Sequence, residues 1–533
     1  MTIRRERPTD QSEHPTDQSG RTTIQTPVLI VGGGVTGLSS AVFLAEHGVA
    51  CTVVERHPDL LIHPRARGLT PRTMEIYRQS GLEPAIRAAA FAGDDFVWAP
   101  VKAETLNDEV YEEPDEPFEG DGSAASPTSF GPIDQDKLEI LLRDRARELG
   151  VDVRFGTELT SFEQDLEQDL EQDLEQDEGG VTAQLDGGET TVRADYLIAA
   201  DGFHSPIRTA LGIELDGPGT LFHTITAIVD ADLTPAVRGR SVGTAYLERP
   251  QPFTIIMAHD TDGKRWVFGT GYDPSRESVE DFTDERVAGM VRAAAGLPEV
   301  AVTLRPQVPG TALKVLGFPI GAHIARRYSQ GRVFLVGDAA HAWPPTGGLG
   351  ANAGIQDAHN LAWKLAEVLA GRARPGLLAT YDTERRPTGA VTLQQAMARF
   401  GARMGPGDGP EIIDYGAVSM GYRYDSAAVI GADEDTTPML PADLDGRPGS
   451  RAPHADLGGG RSTLDRYGRG FVVVGDGAGW EKAALDLGID SAPAHGTVPD
   501  GQALLVRPDG FVAWRGSEPA ALADALHSIR TSF

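Results

Sequence analysis

The sequence predicts an α/β fold class with two or three domains, and three observations carry that prediction. Residues 26–55 read as strand, glycine turn, helix, strand, which is a βαβ unit. Far downstream, the apolar strand 333–336 runs into Gly337-Asp338, then a Pro-Pro turn and the start of a glycine-rich helix. Between these, from about 223 to 309, apolar residues alternate with turns, including 254–257 and 266–269. That period marks a mainly β domain inserted between two halves of an α/β domain.

Bulk properties narrow the class of function. A chain of 533 residues is too long for one small core. Its 40% hydrophobic and 24% charged residues are an ordinary globular composition. The formal net charge of -30 argues against a nucleic-acid or anionic-membrane partner. No apolar run spans a bilayer, and the basic N-terminus lacks the apolar core of a secretory signal. The single cysteine, Cys51, excludes internal disulfides and Cys-cluster metal sites, and suits a reducing cytoplasm. It falls in the predicted strand 50–55, where it reads as core packing.

In chain order, residues 1–25 are polar and contain PTDQS twice; they read as a disordered tail. Residues 136–149 form an amphipathic helix with Leu138, Leu141, Leu142 and Ala146 on one side. Strands are expected at 151–155, 181–185 and 191–199. Between the first two, Glu-Gln-Asp recurs from Glu163, Glu167, Glu171 and Glu175, with Leu166, Leu170 and Leu174 spaced for one helical stripe. An expanded surface loop of a hairpin is the plain reading of this repeat, and a docking element the alternative. Helices return at 355–370 and 377–395. A Pro-, Gly- and Asp-rich linker covers 433–454, and strands at 471–474, 503–506 and 511–514 announce a small α/β domain.

The first glycine turn contains G-x-G-x-x-G at Gly32, Gly34 and Gly37, with Val35 and Thr36 between. Gly32 permits the tight turn, Gly34 admits a pyrophosphate to the backbone, and Gly37 lets helix and strand pack closely. Glu55, followed by Arg56, ends the next strand, where it can accept from ribose hydroxyls. An acid there suits an unphosphorylated adenosine ribose, hence FAD or NAD. The second motif decides between them. A nicotinamide dehydrogenase needs one such turn, whereas FAD needs a second site for its ribityl chain and ring. Asp338 would accept from a ribityl hydroxyl. The backbone N–H groups of 347–352, among them Gly348, Gly350, Ala351 and Asn352, would stabilise negative charge at the flavin ring.

On these motifs the chain resembles the class A flavoprotein aromatic hydroxylases, of the phenol hydroxylase and aromatic polyketide hydroxylase type, from Pro27 to the C-terminus. The resemblance implies a glutathione-reductase-type FAD domain at 26–90, 131–205 and 315–400. It implies a β-rich substrate domain at 91–130 and 206–314, a connecting segment at 401–450, and a thioredoxin-like domain at 451–533. The last lacks CxxC and is therefore expected to be structural. Asp201-Gly202, with Ser205 and Arg208, resembles the family's middle motif for FAD and NAD(P)H; Ala199 stands where its usual glycine would. Pro64-Arg65-Ala66-Arg67-Gly68 resembles the loop whose arginine contacts the flavin region, and Gln135 an FAD-contacting glutamine. Arg65, Pro345 and Arg385 are candidates near the reacting atoms, although Arg385 also reads as an exposed helical arginine. Arg67 reads equally as a surface charge, and His341 as a core histidine or a residue of the flavin site. Tyr246, Phe253, Trp266 and Phe268 fall in the substrate-wall region, each readable as core.

The implied activity is FAD-dependent hydroxylation of a phenolic, polyketide-like or heteroaromatic ring, with NADPH or NADH and O₂, through a C4a-hydroperoxyflavin. The expected partners are thus a small aromatic substrate, O₂ and NAD(P)H, with no metal; the C-terminal domain allows a homo-oligomer. A related oxygenase acting on a quinone or carbonyl shares every motif, and a non-catalytic flavin-binding protein is the rival of another class. The halogenase signature W-x-W-x-I-P is absent.

Overall fold

The computed structural model describes residues 22–60, 65–91, 100–112, 125–165, 179–240, 242–259, 263–308, 310–404 and 409–531. The PTDQS repeats, Pro64, and Leu166, Leu170 and Leu174 of the acidic repeat lie outside these residues. The flanks of that repeat, Leu159–Gln164 and Val181–Leu185, are described and pair antiparallel, so the repeat connects two strands of a hairpin.

The first sheet has eight strands and a parallel centre. Thr22–Val31 lies between Cys51–Glu55 and Thr190–Ala199, parallel to both, and Val333–Leu335 runs parallel to the end of Thr190–Ala199. Parallel strands point their C-terminal ends the same way. Val31, Glu55, Ala199 and Leu335 therefore finish along one edge, where ligands of such sheets bind. Strand 22–31 is buried on both faces, as Val28, Leu29 and Ile30 at zero exposure show, which is why it reads as a continuous apolar run. Helices Val35–Glu46, Gln135–Glu148 and Leu349–Leu369 cover the sheet. Cys51 is buried in its strand, as expected.

Two sequence expectations are corrected here. The assigned tail of 1–25 runs too far, because Thr22–Gln25 continue the first strand and pair with Thr190–Arg193. Cross-strand pairing organises these polar residues, and composition alone cannot report that. The boundary at 315 is also displaced. Val315–Ala325 pairs antiparallel with Leu215–Asp230 and belongs to the β-rich unit. Pro319 and two glycines interrupt its alternation, which hid the strand.

That second sheet also has eight strands, ordered 341–342, 315–325, 215–230, 265–272, 254–258, 244–247 and 100–103, with 303–305 paired beside 215–230. One face packs Ile225, Ala227, Val229, Trp266 and Phe268 against Asp284–Ala295.

The C-terminal unit is a four-stranded sheet, ordered 490–492, 472–475, 503–506, 512–516. Helix Ala478–Asp486 crosses between its first two strands, which are parallel, and Leu522–Thr531 closes it. This β-α-β-β-β-α order is the thioredoxin-like arrangement. Trp363, from helix 349–369, meets Phe471 edge-on at 5.7 Å and shares this unit's core. The unit is thus seated on the dinucleotide-binding part by an aromatic anchor.

Candidate functional site

The first glycine turn ends strand 22–31 and opens helix Val35–Glu46. A β-carbon on Gly37 would overlap the Gly32 carbonyl oxygen, so the close helix–strand approach requires glycine there. A β-carbon on half-buried Gly34, by contrast, would make only ordinary contacts, with Glu139 Oε1 at 3.7 Å and Arg65 at 4.0 Å, which leaves space in front of the turn. No side chain caps this helix from Gly34, so its N-terminal end presents positive backbone dipole to that space.

Arg65 and Gln135 converge on the same place through Glu139. The Glu139 carboxylate, on the same helix as Gln135, accepts from Gln135 Nε2 at 2.7 Å, the Val35 amide at 3.0 Å and Arg65 at 3.2 Å. Burial pushes its carboxyl above the usual range against these partners. Arg65 is half exposed, free to meet an anionic group, whereas the Val35 amide is already engaged. Gln135 Oε1 also accepts from the Ala66 amide at 3.1 Å, fixing the arginine loop.

Glu55 stands beside the turn and accepts from the Gly33 amide at 2.7 Å and from the His57 amide at 2.9 Å. Burial pulls its carboxyl up, but these bonds and the His57 ring outweigh that and hold it below the ordinary value. Arg56 is exposed next to it. Arg67 differs from both sequence readings. It is buried, pairs with Asp134 at 2.6 Å, and reaches the Ala258 and His259 carbonyls of the second sheet. It ties the arginine loop to the β-rich unit.

At the next strand end, Asp201 accepts from Ser205 Oγ at 2.6 Å and the Ile207 amide at 3.1 Å. Its carboxylate caps a helical turn, and Gly202 follows at a positive φ of 83°. Arg208 donates to the Ala339 and Phe203 carbonyls, joining this turn to the second glycine motif.

That second motif meets the first in space. Gly337 has φ +58°, and a β-carbon there would stand 2.7 Å from Thr36 Oγ1. Asp338, one residue on, is exposed. Helix Leu349–Leu369 starts at Gly348, in the left-handed region and uncapped by any side chain. Gly348 and Pro345 are exposed, and Gly350 and Ala351 half-buried, so the first-turn amides lie near the surface of the cleft. Asn352 is buried and its side chain is spent on protein: it accepts from the Thr70 amide and donates to the Gly68 and Gly348 carbonyls. It shapes the loop.

The candidate Arg385 is neither exposed nor at the cleft. It is 1% exposed and bonded through Nε to Asp357 Oδ1 at 2.7 Å. Helix Thr380–Met404 turns it inward, which a lone arginine in a polar stretch does not signal. His341 is a satisfied buried histidine, 2.7 Å from Asp357 Oδ2. Trp266 and Phe268 are core, whereas Tyr246 and Phe253 are not.

Three phenylalanines form an aromatic wall. Phe222 and Phe253 of the β-rich unit lie near-parallel at 5.1 Å, and Phe400 stacks on both at 5.7 and 6.2 Å. All three rings are half-buried and outside the buried cores. Phe400 follows Ala396 by one helical turn, and the Ala396 carbonyl accepts from Thr346 in the glycine loop at 2.7 Å. Lys102 and Tyr246 bond to Ala402 and Arg403, closing sheet against helix. Sequence reasoning missed Glu139, Asp357, Phe222 and Phe400. Only Glu139 had a signal, its i,i+4 spacing from Gln135.

Two glycine turns in contact, an arginine loop and an open β-carbon position at Gly34 suit a long dinucleotide with a pyrophosphate and a second, ribityl-linked ring. The fold and site thus define a dinucleotide-binding flavoprotein. The family model described as "FAD binding domain" matches residues 25–396, and that described as "Aromatic-ring hydroxylase, C-terminal" matches 445–531. The chain belongs to this FAD-binding aromatic-ring hydroxylase family and is a flavin-dependent monooxygenase. It is 41% identical to a tetracenomycin A2 monooxygenase-dioxygenase of Streptomyces glaucescens, over 96% of this chain and 98% of that one. It is 39% identical to a 4-methyl-5-nitrocatechol 5-monooxygenase of a Burkholderia species, over 95% and 98%. Among solved structures, a ternary complex of aklavinone-11 hydroxylase with FAD and aklavinone superposes with a TM-score of 0.85 at 36% identity, covering 95% of this chain and 99% of that one. Among the described residues, no helix is long and apolar enough to cross a membrane, and no His, Cys, Asp and Glu cluster suits a metal.

Proposed function

We propose that this chain hydroxylates a fused-ring, polyketide-like phenol, with NADPH or NADH as electron donor and O₂ as oxygen source. One oxygen atom enters the ring C–H bond and the other leaves as water, with NAD(P)H and one proton supplying the two electrons and two hydrogens. A bound flavin supplies the redox chemistry of that exchange.

The residues divide the remaining work. Gly34, Thr36 and Arg65 would receive the pyrophosphate on the turn that Gly32 and Gly37 shape, and Glu55 with Arg56 the adenosine side. Gly337 and Asp338 would meet the ribityl chain, and the amides of Gly348, Gly350 and Ala351 the polar edge of the flavin ring. Pro345 would border that ring, and Asp201-Gly202 would line the route for the nicotinamide. Phe222, Phe253 and Phe400 would orient a flat substrate and keep water from the reacting atoms. The observation that carries this reading is the aromatic wall, whose Phe400 lies one helical turn from the Ala396 carbonyl that Thr346 of the glycine loop bonds. The relatives that act on fused-ring compounds support the ring size.

The test is turnover by the purified yellow protein with NADPH or NADH, O₂ and a panel from catechol to 1,4-dihydroxyanthraquinone. A product heavier by one oxygen atom, formed only with a reduced nicotinamide, is expected for a fused-ring compound. Nicotinamide oxidation that no aromatic accelerates, with no oxygenated product, would refute the proposal.

A further inference from the structure

The Gly337–His341 turn is pinned at both ends by one carboxylate oxygen. Asp357 Oδ2 accepts from the Gly337 amide at 3.1 Å and from His341 Nε2 at 2.7 Å. Asp338 projects from the middle of the turn thus formed. The other oxygen, Oδ1, accepts from Arg385 Nε at 2.7 Å. Asp357 and Arg385 are each about 1% exposed, so neither can reach substrate, and a buried ion pair needs further hydrogen bonds to offset desolvation. Arg385 also donates to the Ala353 carbonyl of helix 349–369 at 3.3 Å.

Behind Arg385 the chain of contacts continues. Arg385 donates to Tyr424 Oη at 3.1 Å, and the Tyr424 ring stacks on Phe511 of the C-terminal domain at 4.2 Å. The neighbouring Glu384 takes both arms of Arg507, also from that domain, at 2.6 and 2.9 Å. Its carboxylate also accepts from Lys364 at 2.8 Å, Asn360 at 2.7 Å and Ser426 at 2.6 Å.

We infer that Asp357 and Arg385 are positioning residues that hold the Gly337–His341 turn in its flavin-binding shape, and that Tyr424 transmits the docking of the C-terminal domain to that turn. The inference rests on the placement of the flavin ribityl chain at Asp338. It gives the domain without CxxC a task in cofactor binding that needs no redox group of its own.

The experiment titrates FAD into apoprotein of wild type, Asp357→Asn, Tyr424→Phe and Val291→Ala, reading Kd, the bound flavin's visible spectrum and its midpoint potential, beside Tm. A carboxamide offers one acceptor oxygen where the carboxylate serves three donors. Asp357→Asn is therefore expected to raise Kd about tenfold or more and to shift spectrum and potential. Tyr424→Phe removes one hydroxyl and should raise Kd severalfold. Val291→Ala, fully buried in the core of the β-rich unit, is the structural control: it should lower Tm and leave Kd within about twofold. Asp357→Asn with wild-type Kd, spectrum and potential overturns the inference, as does Val291→Ala weakening FAD as much as Asp357→Asn. Tyr424→Phe with wild-type affinity overturns the share given to the C-terminal domain. Wild-type apoprotein that takes up no FAD overturns the cofactor placement itself, a result distinct from all of these.

Discussion

Gly337 and Thr36, from two motifs far apart in the chain, are in contact: a β-carbon on Gly337 would lie 2.7 Å from Thr36 Oγ1. The parallel order of strands 22–31, 190–199 and 333–335 makes this contact. It brings the two glycine motifs, proposed to hold the two halves of FAD, within one cofactor's reach. At Gly337 glycine is required twice over, for its φ of +58° and for this approach.

Gly337→Ala should lose most of its FAD as purified. Left-handed backbone strain costs about 1–2 kcal/mol for a non-glycine residue, and the contact with Thr36 adds to it. Adding Thr36→Ala should restore only the steric part. The ratio of flavin to protein absorbance in the three variants checks this.

The aromatic wall predicts a split between ring sizes. Stacked pairs contribute about 0.5–1.5 kcal/mol beyond area burial. Phe253→Leu or Phe400→Leu should therefore raise KM for a fused-ring phenol roughly threefold to tenfold while FAD affinity holds. A monocyclic catechol, too small to span the wall, should show little change. Equal losses for both substrates would refute a stacking role.

Glu75 predicts an unequal pair of stability losses. It is 1% exposed, bonded to Arg451 Nε at 2.9 Å, Arg72 at 3.1 Å and Ser126 at 2.7 Å. Glu75→Ala leaves two buried guanidinium groups without their carboxylate and should cost about 3–5 kcal/mol. Arg451→Met should cost less, because Arg72 still neutralises Glu75. Denaturant unfolding of the two variants measures the difference.

His359 predicts part of the acid sensitivity. Burial disfavours its imidazolium and lowers its pKa from 6.5 to about 3; the ring sits edge-on to Phe43 at 5.2 Å. A basic group depressed in the fold confers stability that is whole above pH 6.5 and is lost as pH falls toward 3. His359→Phe should reduce the pH slope of unfolding free energy in that window by about one proton. An unchanged slope would show that this ring does not titrate on unfolding.

The sequence by itself determined the βαβ unit, the two glycine turns, the absence of CxxC and, by family resemblance, the flavin chemistry. These are legible because they depend on local backbone requirements: a strand's apolar run, a glycine where a helix must touch a strand. Gln135 and Arg65 came from the same resemblance, and the structure brings them together around Glu139.

Only the tertiary structure decided the rest. Strand 315–325 moved to the β-rich sheet because its partner is a hundred residues earlier, and pairing overrides an interrupted pattern. Arg385 proved to be a buried partner of Asp357, and Arg67 a tie between units. Phe222, Phe253 and Phe400 became one wall. In each case the deciding contact joins residues distant in sequence, and a side chain's environment is set by what folds against it.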